Sequence, residues 1–521
     1  MSRLFPLRVL VAGGVVALAT PAFGQRGVLT PRDSALVSRI LLAEDHRDSA
    51  SAAFVEGARH PDVRIRQLAW RAAARVRDPR FAARDSLPPP AAPPAYDDAA
   101  WRIRFRALAG RRGDCAALRA ALADSVWAVR LRAADLAGPE CARDTTLVRT
   151  LRNWASAPPP NGARRRGEPS WHPAAHAVLA LARLAPDSAR ALLPALATSA
   201  IPWLRAYAAR AAGSLADTAL LRRLAIDAND NVKEQAIDAL AKVAGHMVDD
   251  AFLLALRARG YQTVRAGARA LAGSPPPRKS EVLVAALAAA RRLRGDSSET
   301  SRDARLAVLE RVTELAGTAQ GGAADVAALA SDFDCTVAQA AAVIAARVGA
   351  QKAAAAAHCT PLAGRLPPEA VGLALGGGAR LRVILADSSG GGAFTVRLRG
   401  DVAPIMAARI LSLARAGYYD GLAWQRVEAD FVIQGGSPGA NEYVGHPRFI
   451  RDELGTVPHM RGTVGMSTRG HDTGDAQWFV NLRDNLRLDR DYTVFGEVVD
   501  GLDVVDGILE GDVIARIEVL P

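Results

Sequence analysis

In "AWQRVEADFVIQGGSPG" (423–439) a basic residue, an aromatic ring and an amide stand close together: Arg426, Phe431 five residues later, and Gln434, with Gly435 and Gly436 after it. An arginine stays charged at any relevant pH and presents a planar fork of donors that a second side chain can orient. Beside an apolar seat, such a fork is a fixed donor that needs no acid-base pair and no metal. On one flat strand, residues five apart face opposite ways, so the "EAD" between Arg426 and Phe431 must bend the chain. Other chemistry is sparse. No G-x-x-x-x-G-K or H-E-x-x-H occurs. "HPAAH" sets His172 and His176 four apart on a helix, without an acidic or cysteine partner at helical spacing, and reads as packed or surface histidine. No cofactor or metal is expected.

The 521 residues exceed one ordinary core, and a chain half apolar but only 5% aromatic favours helices packed through small side chains. The net charge of +12 comes almost wholly from arginine scattered among Asp and Glu, which predicts a solvated basic face and no nucleic-acid partner. Arg3 and Arg8, the apolar run 9–19 and the small residues Ala22 and Gly24 predict a secretory leader over residues 1–24. The expected protein is periplasmic or secreted, with no membrane span. In that oxidising setting the four cysteines predict two local disulfides, Cys115 with Cys141 and Cys335 with Cys359. Buried thiols are the alternative. Zinc is disfavoured, since no C-x-x-C occurs.

Residues 25–364 read as an all-α domain. "HPDVRIRQLAWRAAARV" (from 60), "DSVWAVRLRAADLAG" (124), "AIPWLRAYAARAAGSLAD" (200), "NDNVKEQAIDALAKVAG" (229) and "YQTVRAGARALAG" (261) share a turn, an aliphatic-basic pair, then alanines and leucines at helical period. The pairs are Val63-Arg64, Val129-Arg130, Leu204-Arg205, Val232-Lys233 and Val264-Arg265. These units resemble HEAT repeats. Helix pairs that cannot bury their own apolar faces stack into a solenoid, whose surface is open to a protein partner. Proline runs at 87–94, 157–160 and 274–277 read as loops between repeats.

Residues 365–521 change character. Alternating, β-branched runs at 375–386 and 393–404 flank "DSSGGG" and predict a hairpin; a helix is expected over 404–421, and strands thereafter. The run "RGDVAPIMAARILSLARAGYYDGLAWQRVEADFVIQGGSPG", with "RDELG", "MRGTVGMS" and "TGDAQWFVNLRDNLRLDRDYTVFGEVVDGLDVVDGI" in order, closely resembles cyclophilin-type peptidyl-prolyl isomerases over roughly 378–521. The resemblance implies a closed eight-stranded antiparallel barrel with two capping helices, and an enzyme acting on proline-containing polypeptides.

By that resemblance Arg426 matches the catalytic arginine and Gln434 the glutamine that positions it. Phe431, Val432, Phe479, Leu488 and Tyr492 match the proline pocket, Met466 lies behind or beside it, and Ser467 and Thr468 match the strand that bonds the substrate backbone. Rotating an X-Pro bond loses amide resonance over a barrier of about 20 kcal/mol and breaks no covalent bond, which suits a fixed donor beside an apolar seat. The chain departs from many relatives at Gln425, Trp478 and Arg487. Arg487 stands where animal members carry the tryptophan that binds cyclosporin, so drug sensitivity is not implied. Two functions of different class are compatible with these residues: a secreted isomerase whose helices hold clients, and a non-catalytic scaffold or chaperone-like protein with a proline-recognising barrel. Either way, barrel and solenoid are expected to fold independently.

Overall fold

The structure, a computed structural model, describes residues 29–81, 100–159, 161–166, 168–315, 323–347 and 366–520. The expected leader, the proline run 87–94 and Cys359 lie outside the described residues. Among those described, helices α1 (Pro31–Asp45), α2 (Ala52–Ala58) and α3 (Val63–Arg75) come first. They are followed by α4 (Ala100–Ala107), α5 (Cys115–Ala121), α6 (Trp127–Leu136), α7 (Thr145–Ser156), α8 (His172–Leu184), α9 (Pro186–Leu196) and α10 (Pro202–Ser214). Then come α11 (Thr218–Leu224), α12 (Asp230–Val243), α13 (Asp249–Ala255), α14 (Tyr261–Ala270), α15 (Lys279–Arg294), α16 (Arg302–Leu315), α17 (Ala323–Leu329) and α18 (Cys335–Arg347). From α6 onward the even-numbered helices pack each against the next, and the odd-numbered helices from α5 to α17 form a second layer against them. Alanine makes the close approach possible: Ala208, Ala209, Ala211 and Ala212 of α10 are all fully buried. Gly267 of α14 goes further, since a Cβ there would lie 2.7 Å from the Ala255 side chain and 2.9 Å from the Phe252 carbonyl. Cys115 and Cys141 form a disulfide, and Cys335 is also disulfide-bonded.

The aliphatic-basic pairs fall in the first turns of α3, α6, α10, α12 and α14. Val129, Leu204, Val232 and Val264 are buried, but Val63 is 51% exposed and Ile65 takes the core position. The reason is the cap: Asp62 accepts from the Arg64 N–H and makes Val63 the first residue of α3, so the inward-facing third helical position is Ile65. The basic residue that follows has a recurring role. Arg66, Arg130 and Arg205 each donate to the carbonyl six residues earlier, of His60, Asp124 and Ser199, and so tie down the turn that enters their own helix. Arg205 and Arg305 also pair with Asp227 and Asp332 in the next turn along.

The C-terminal unit begins with α19 (Ala370–Ala374). Strands β1 (Arg380–Leu385) and β2 (Ala393–Leu398) form the expected hairpin, and α20 (Pro404–Arg415) follows, ending six residues early where Gly417 takes a φ of +66°. Then come β3 (Arg426–Val427), β4 (Val432–Gly435), β5 (Thr463–Met466), β6 (Trp478–Asn481), β7 (Val494–Asp500), the short helix α21 (Leu502–Asp506) and β8 (Ile514–Leu520). They make one antiparallel sheet in the order β3-β4-β6-β5-β7-β2-β1-β8. The segments entering its two outer strands meet: Gly421 and Trp424 N–H donate to Ile514 and Asp512 carbonyls, and Ile514 and Gly511 N–H to Leu422 and Trp424 carbonyls. Phe394, Trp424, Trp478 and Phe495 fill the sheet's interior, Trp424 meeting Trp478 edge-on at 5.0 Å.

The two parts do not stay separate. A single apolar cluster runs from Ile40, Phe54 and Leu68 of α1 to α3 into Leu373, Met406, Phe394 and Trp424 of the C-terminal unit. Further on, the helical region meets the sheet unit at one buried polar contact after another. Arg75 bonds Glu44 and the Leu454 carbonyl, Arg102 bonds Asp506, Arg164 pairs with Asp512, Tyr207 bonds Glu510 and Asp303 pairs with Arg469. Arg164 and Asp512 side chains are 3% and 4% exposed. These contacts run against the expectation that the two parts fold independently: charges buried at this depth are tolerable only as pairs, and Arg102, Arg164 and Arg469 each have theirs in the other part.

Candidate active site

Arg426 and Gln434 are directly opposite each other in the β3–β4 ladder. Arg426 Nη1 donates to Gln434 Oε1 at 3.4 Å, its Nε donates to Glu428 Oε1 at 2.9 Å, and Nη2 reaches the same Glu428 oxygen. Glu428, Ala429, Asp430 and Phe431 form the bend required by the spacing, closed by the Phe431 N–H donating to the Glu428 carbonyl at 2.8 Å. The bend brings Phe431 round to the face of Arg426, whose guanidinium carbon lies 5.8 Å from the ring centre, and Arg487 lies over the same ring at 4.3 Å. Asn485 Nδ2 and the Leu482 N–H both donate to the Phe431 carbonyl and fix it against β6.

Phe479 is the residue of β6 opposite Gln434 and opposite Gly465 of β5. Gly465 has no alternative, because a Cβ there would stand 2.4 Å from Phe479 Cζ. Tyr492 meets the Phe479 ring edge-on at 5.8 Å, and His459 stacks on it at 6.0 Å. Burial holds the His459 imidazole below its usual pKa range, with an Nδ1 contact of 3.1 Å to Asp489 acting against it. The half-buried Tyr492 therefore flanks the buried Phe479, with Arg426 at the rim beside the half-buried Phe431; Leu488, also half-buried, accepts from the Tyr492 N–H, and Val432 is buried next to Phe431. Met466 is fully buried in the main apolar cluster against Gly474, behind the surface and not on it. Ser467 and Thr468 follow the end of β5 in a half-exposed extended segment, where the Ser467 N–H donates to the Gln477 carbonyl at 2.9 Å.

Sequence reading missed the layer beneath. Gln477 Oε1 accepts from Gln425 Nε2 at 2.9 Å and from Gln434 Nε2 at 3.4 Å, so one buried amide orients the residue that orients Arg426. Gln425 and Gln434 differ by nine residues and both reach Gln477, the residue before β6, a contact no local spacing reveals. Arg102, fully buried in α4, donates to the Ala429 carbonyl at 2.5 Å and braces the 428–431 bend from the helical region. His172 and His176 do not share a ligand: His172 packs on Trp171 and bonds the Glu510 carbonyl, while His176 bonds Asp135. Among the described residues no group of three metal-ligating side chains occurs, and no helix is long and apolar enough to cross a membrane.

With this geometry in place, the likenesses to known proteins are specific. The family described as cyclophilin type peptidyl-prolyl cis-trans isomerase/CLD matches residues 383–519. A peptidyl-prolyl cis-trans isomerase of Helicobacter pylori (strain ATCC 700392 / 26695) is 39% identical over 119 residues, which are 22% of this chain and 73% of that protein. One from strain J99 is 37% identical over 134 residues, 25% of this chain and 83% of that protein. A crystal structure of a Cryptosporidium parvum cyclophilin type peptidyl-prolyl cis-trans isomerase is aligned over 28% of this chain and 98% of its own, at 22% identity and a TM-score of 0.26. The chain belongs to the cyclophilin-type peptidyl-prolyl cis-trans isomerase family. It is an isomerase whose matched segment is the C-terminal sheet unit, with the helices before α19 lying outside the match.

Proposed function

We propose that this chain rotates X-Pro bonds of polypeptide clients at the surface formed by Arg426, Phe431, Phe479, Leu488 and Tyr492. The observation that carries this reading is the pairing of a charged, oriented donor with an aromatic seat on one face: Arg426 is directed by Gln434 across the ladder, and Phe479 is kept clear by Gly465. The proline ring rests on Phe479 and Phe431. Arg426 donates toward the proline nitrogen as the bond twists, which weakens amide conjugation in the twisted state more than in the planar one. The backbone at Ser467 and Thr468 aligns the client chain.

We read the sheet as a closed barrel capped by α20 and α21, supported by the hydrogen bonds between the 421–424 and 511–514 segments and by the packing of α20 on β7 and β8 and of α21 on β2. We read the helices before it as a HEAT-like solenoid, supported by the two-layer order and the repeated arginine-to-turn contact, and as a surface for clients or a protein partner. The division into a leader (1–24), a helical domain (25–364) and an isomerase domain (365–521), the periplasmic or secreted location and the second disulfide are part of the same proposal. A protease-coupled or NMR exchange assay of a short Ala-Pro peptide with the full chain tests it. Catalysed exchange is expected. Binding of the peptide without acceleration points to the scaffold reading.

A further inference from the structure

The helical region supplies one wall of a cleft that begins at Arg426. It has a volume of about 310 Å³ and lies between α10 and α12 on one side and the 440–443 loop on the other, with Gln425 and Arg426 from the sheet and Glu510 at its end. A space of this size is at the lower end of pockets that enclose a ligand, roughly 300 Å³, and holds one long side chain with adjoining backbone. Acceptors stand on both of its walls and at its base. Gln425 is 7% exposed and gives its amide N–H to Gln477, which leaves Oε1 without a hydrogen-bond partner among the described residues. Glu234 of α12 stands half-buried, and burial, the neighbouring Asp238 and Glu442 across the cleft raise its carboxyl to about 7 despite Arg265. Glu442, on the opposite wall, makes only a long ion pair of 4.0 Å with Arg426, whose fork is also engaged by Glu428. The cations nearby are stacked on rings: Arg210 on Tyr207 at 4.7 Å and Arg265 on Tyr443 at 5.0 Å. Asn231 of α12 holds the loop wall in place through the Gly439 and Ala440 carbonyls and the Asn441 amide.

We propose that this cleft is a substrate subsite built jointly by the two parts of the chain, and that Glu234 and Glu442 with Gln425 Oε1 accept a lysine or arginine side chain of the client a few residues from the X-Pro bond. It rests on the reading that the bond is turned at Arg426. A carboxylate on each wall and an unpaired buried acceptor at the base favour a cationic donor over a neutral or acidic side chain, and the continuity with Arg426 puts that donor on the same polypeptide as the proline. The helical region thereby sets which prolines are used.

The test uses the full chain and seven-residue peptides with one central proline, in which Lys, Ala or Glu is placed in turn at each of the three positions on either side. Both kcat/KM and binding, by fluorescence anisotropy of labelled peptides, are measured. At one or two positions Lys is expected to exceed Ala by about five- to tenfold and Glu to fall below it, as for a partly shielded ion pair. In Glu234→Gln and in Glu442→Gln that Lys-to-Ala ratio falls toward one, and either variant carries the test if the other does not fold. Equal use and equal binding of the three series at every position overturns the subsite, as does a Lys preference unchanged in both variants. Lys-selective binding that both variants abolish, without turnover of any peptide, upholds the subsite and overturns only the isomerase reading of Arg426.

Discussion

Arg426 sits in a strand of only two residues, and its direction is set by side chains, not by the strand itself. Gln434 holds it from across the ladder, Gln477 holds Gln434, and Glu428 takes the other edge of the fork. A donor fixed in this way over an apolar seat supplies about 3–4 kcal/mol of transition-state stabilisation, roughly a hundred- to a thousandfold in rate. Arg426→Ala is therefore expected to lower kcat/KM on a short proline peptide by that factor while its melting temperature stays within about 2 °C of the parent, because the side chain is 40% exposed. Arg426→Lys recovers only part of the loss, since an ammonium lacks the fork that Gln434 and Glu428 orient. An Arg426→Ala protein with parental turnover would remove this residue from the chemistry. At this scale much was readable in the chain: Arg426, Phe431, Gln434 and Phe479 share one surface. Gln477 and His459 were not readable, because a buried amide and a stacked imidazole show no spacing signal until β5 and β6 bring them under the site.

The bend between β3 and β4 is the element on which the site depends, and it is braced from far away in sequence. Arg102 of α4 donates to the Ala429 carbonyl, and Arg106 pairs with Asp430 in the same bend. Arg102→Ala removes a fully buried cation that also binds Asp506, leaving that carboxylate with Arg461 alone. A loss of about 3 kcal/mol in stability is expected from urea unfolding. A fall of about tenfold in kcat/KM is expected below the unfolding midpoint, because the angle between Arg426 and Phe431 is no longer fixed. If the variant is destabilised yet turns over peptide at the parental rate, the bend holds its shape without the helical region. The helices themselves were legible wherever alanine and leucine kept helical period, and the hairpin of β1 and β2 was legible from its alternation. Val63 misled the register because Asp62, not the aliphatic-basic pair, decides where α3 starts. The Arg102 contact lies 327 residues away from its acceptor in sequence and has no local signature.

Over the whole molecule, the polar contacts between helical region and sheet unit give stability a pH dependence. His172, packed on Trp171 with its Nε2 at 2.8 Å from the Glu510 carbonyl, is depressed to about 3, mainly by burial and with smaller contributions from His176 and Arg164. Between that value and the ordinary 6.5 the unfolded chain binds a proton that the folded chain refuses, so the contribution is present above pH 6.5 and is lost as pH falls toward 3. The nearby Glu510 carboxyl is raised by burial, so its contribution is present below the ordinary 4.5 and diminishes as pH rises through the folded value. Melting temperatures of the parent and His172→Gln between pH 4 and 7 separate the two, and a shallower rise with pH is expected in the variant. Equal slopes would show that His172 takes up no proton on unfolding. The same contacts predict that residues 366–520 alone melt about 10 °C or more below the full chain, because Asp506 and Asp512 lose their arginines and the apolar face against α1 to α3 is bared. Calorimetry of the fragment checks this, and an unchanged transition would show that the sheet unit is self-sufficient.

The apolar cluster shared by α1 to α3 and the sheet unit also bears on how the chain is made. Ile40, Phe54 and Leu68 leave the ribosome well before the groups that cover them, which run from Leu373 to Ile517. The helices between can form from local contacts as they emerge, but this cluster closes only once the sheet unit has been made. Until then the nascent chain carries an uncovered apolar face, a natural point of attachment for folding helpers and of self-association when none is present.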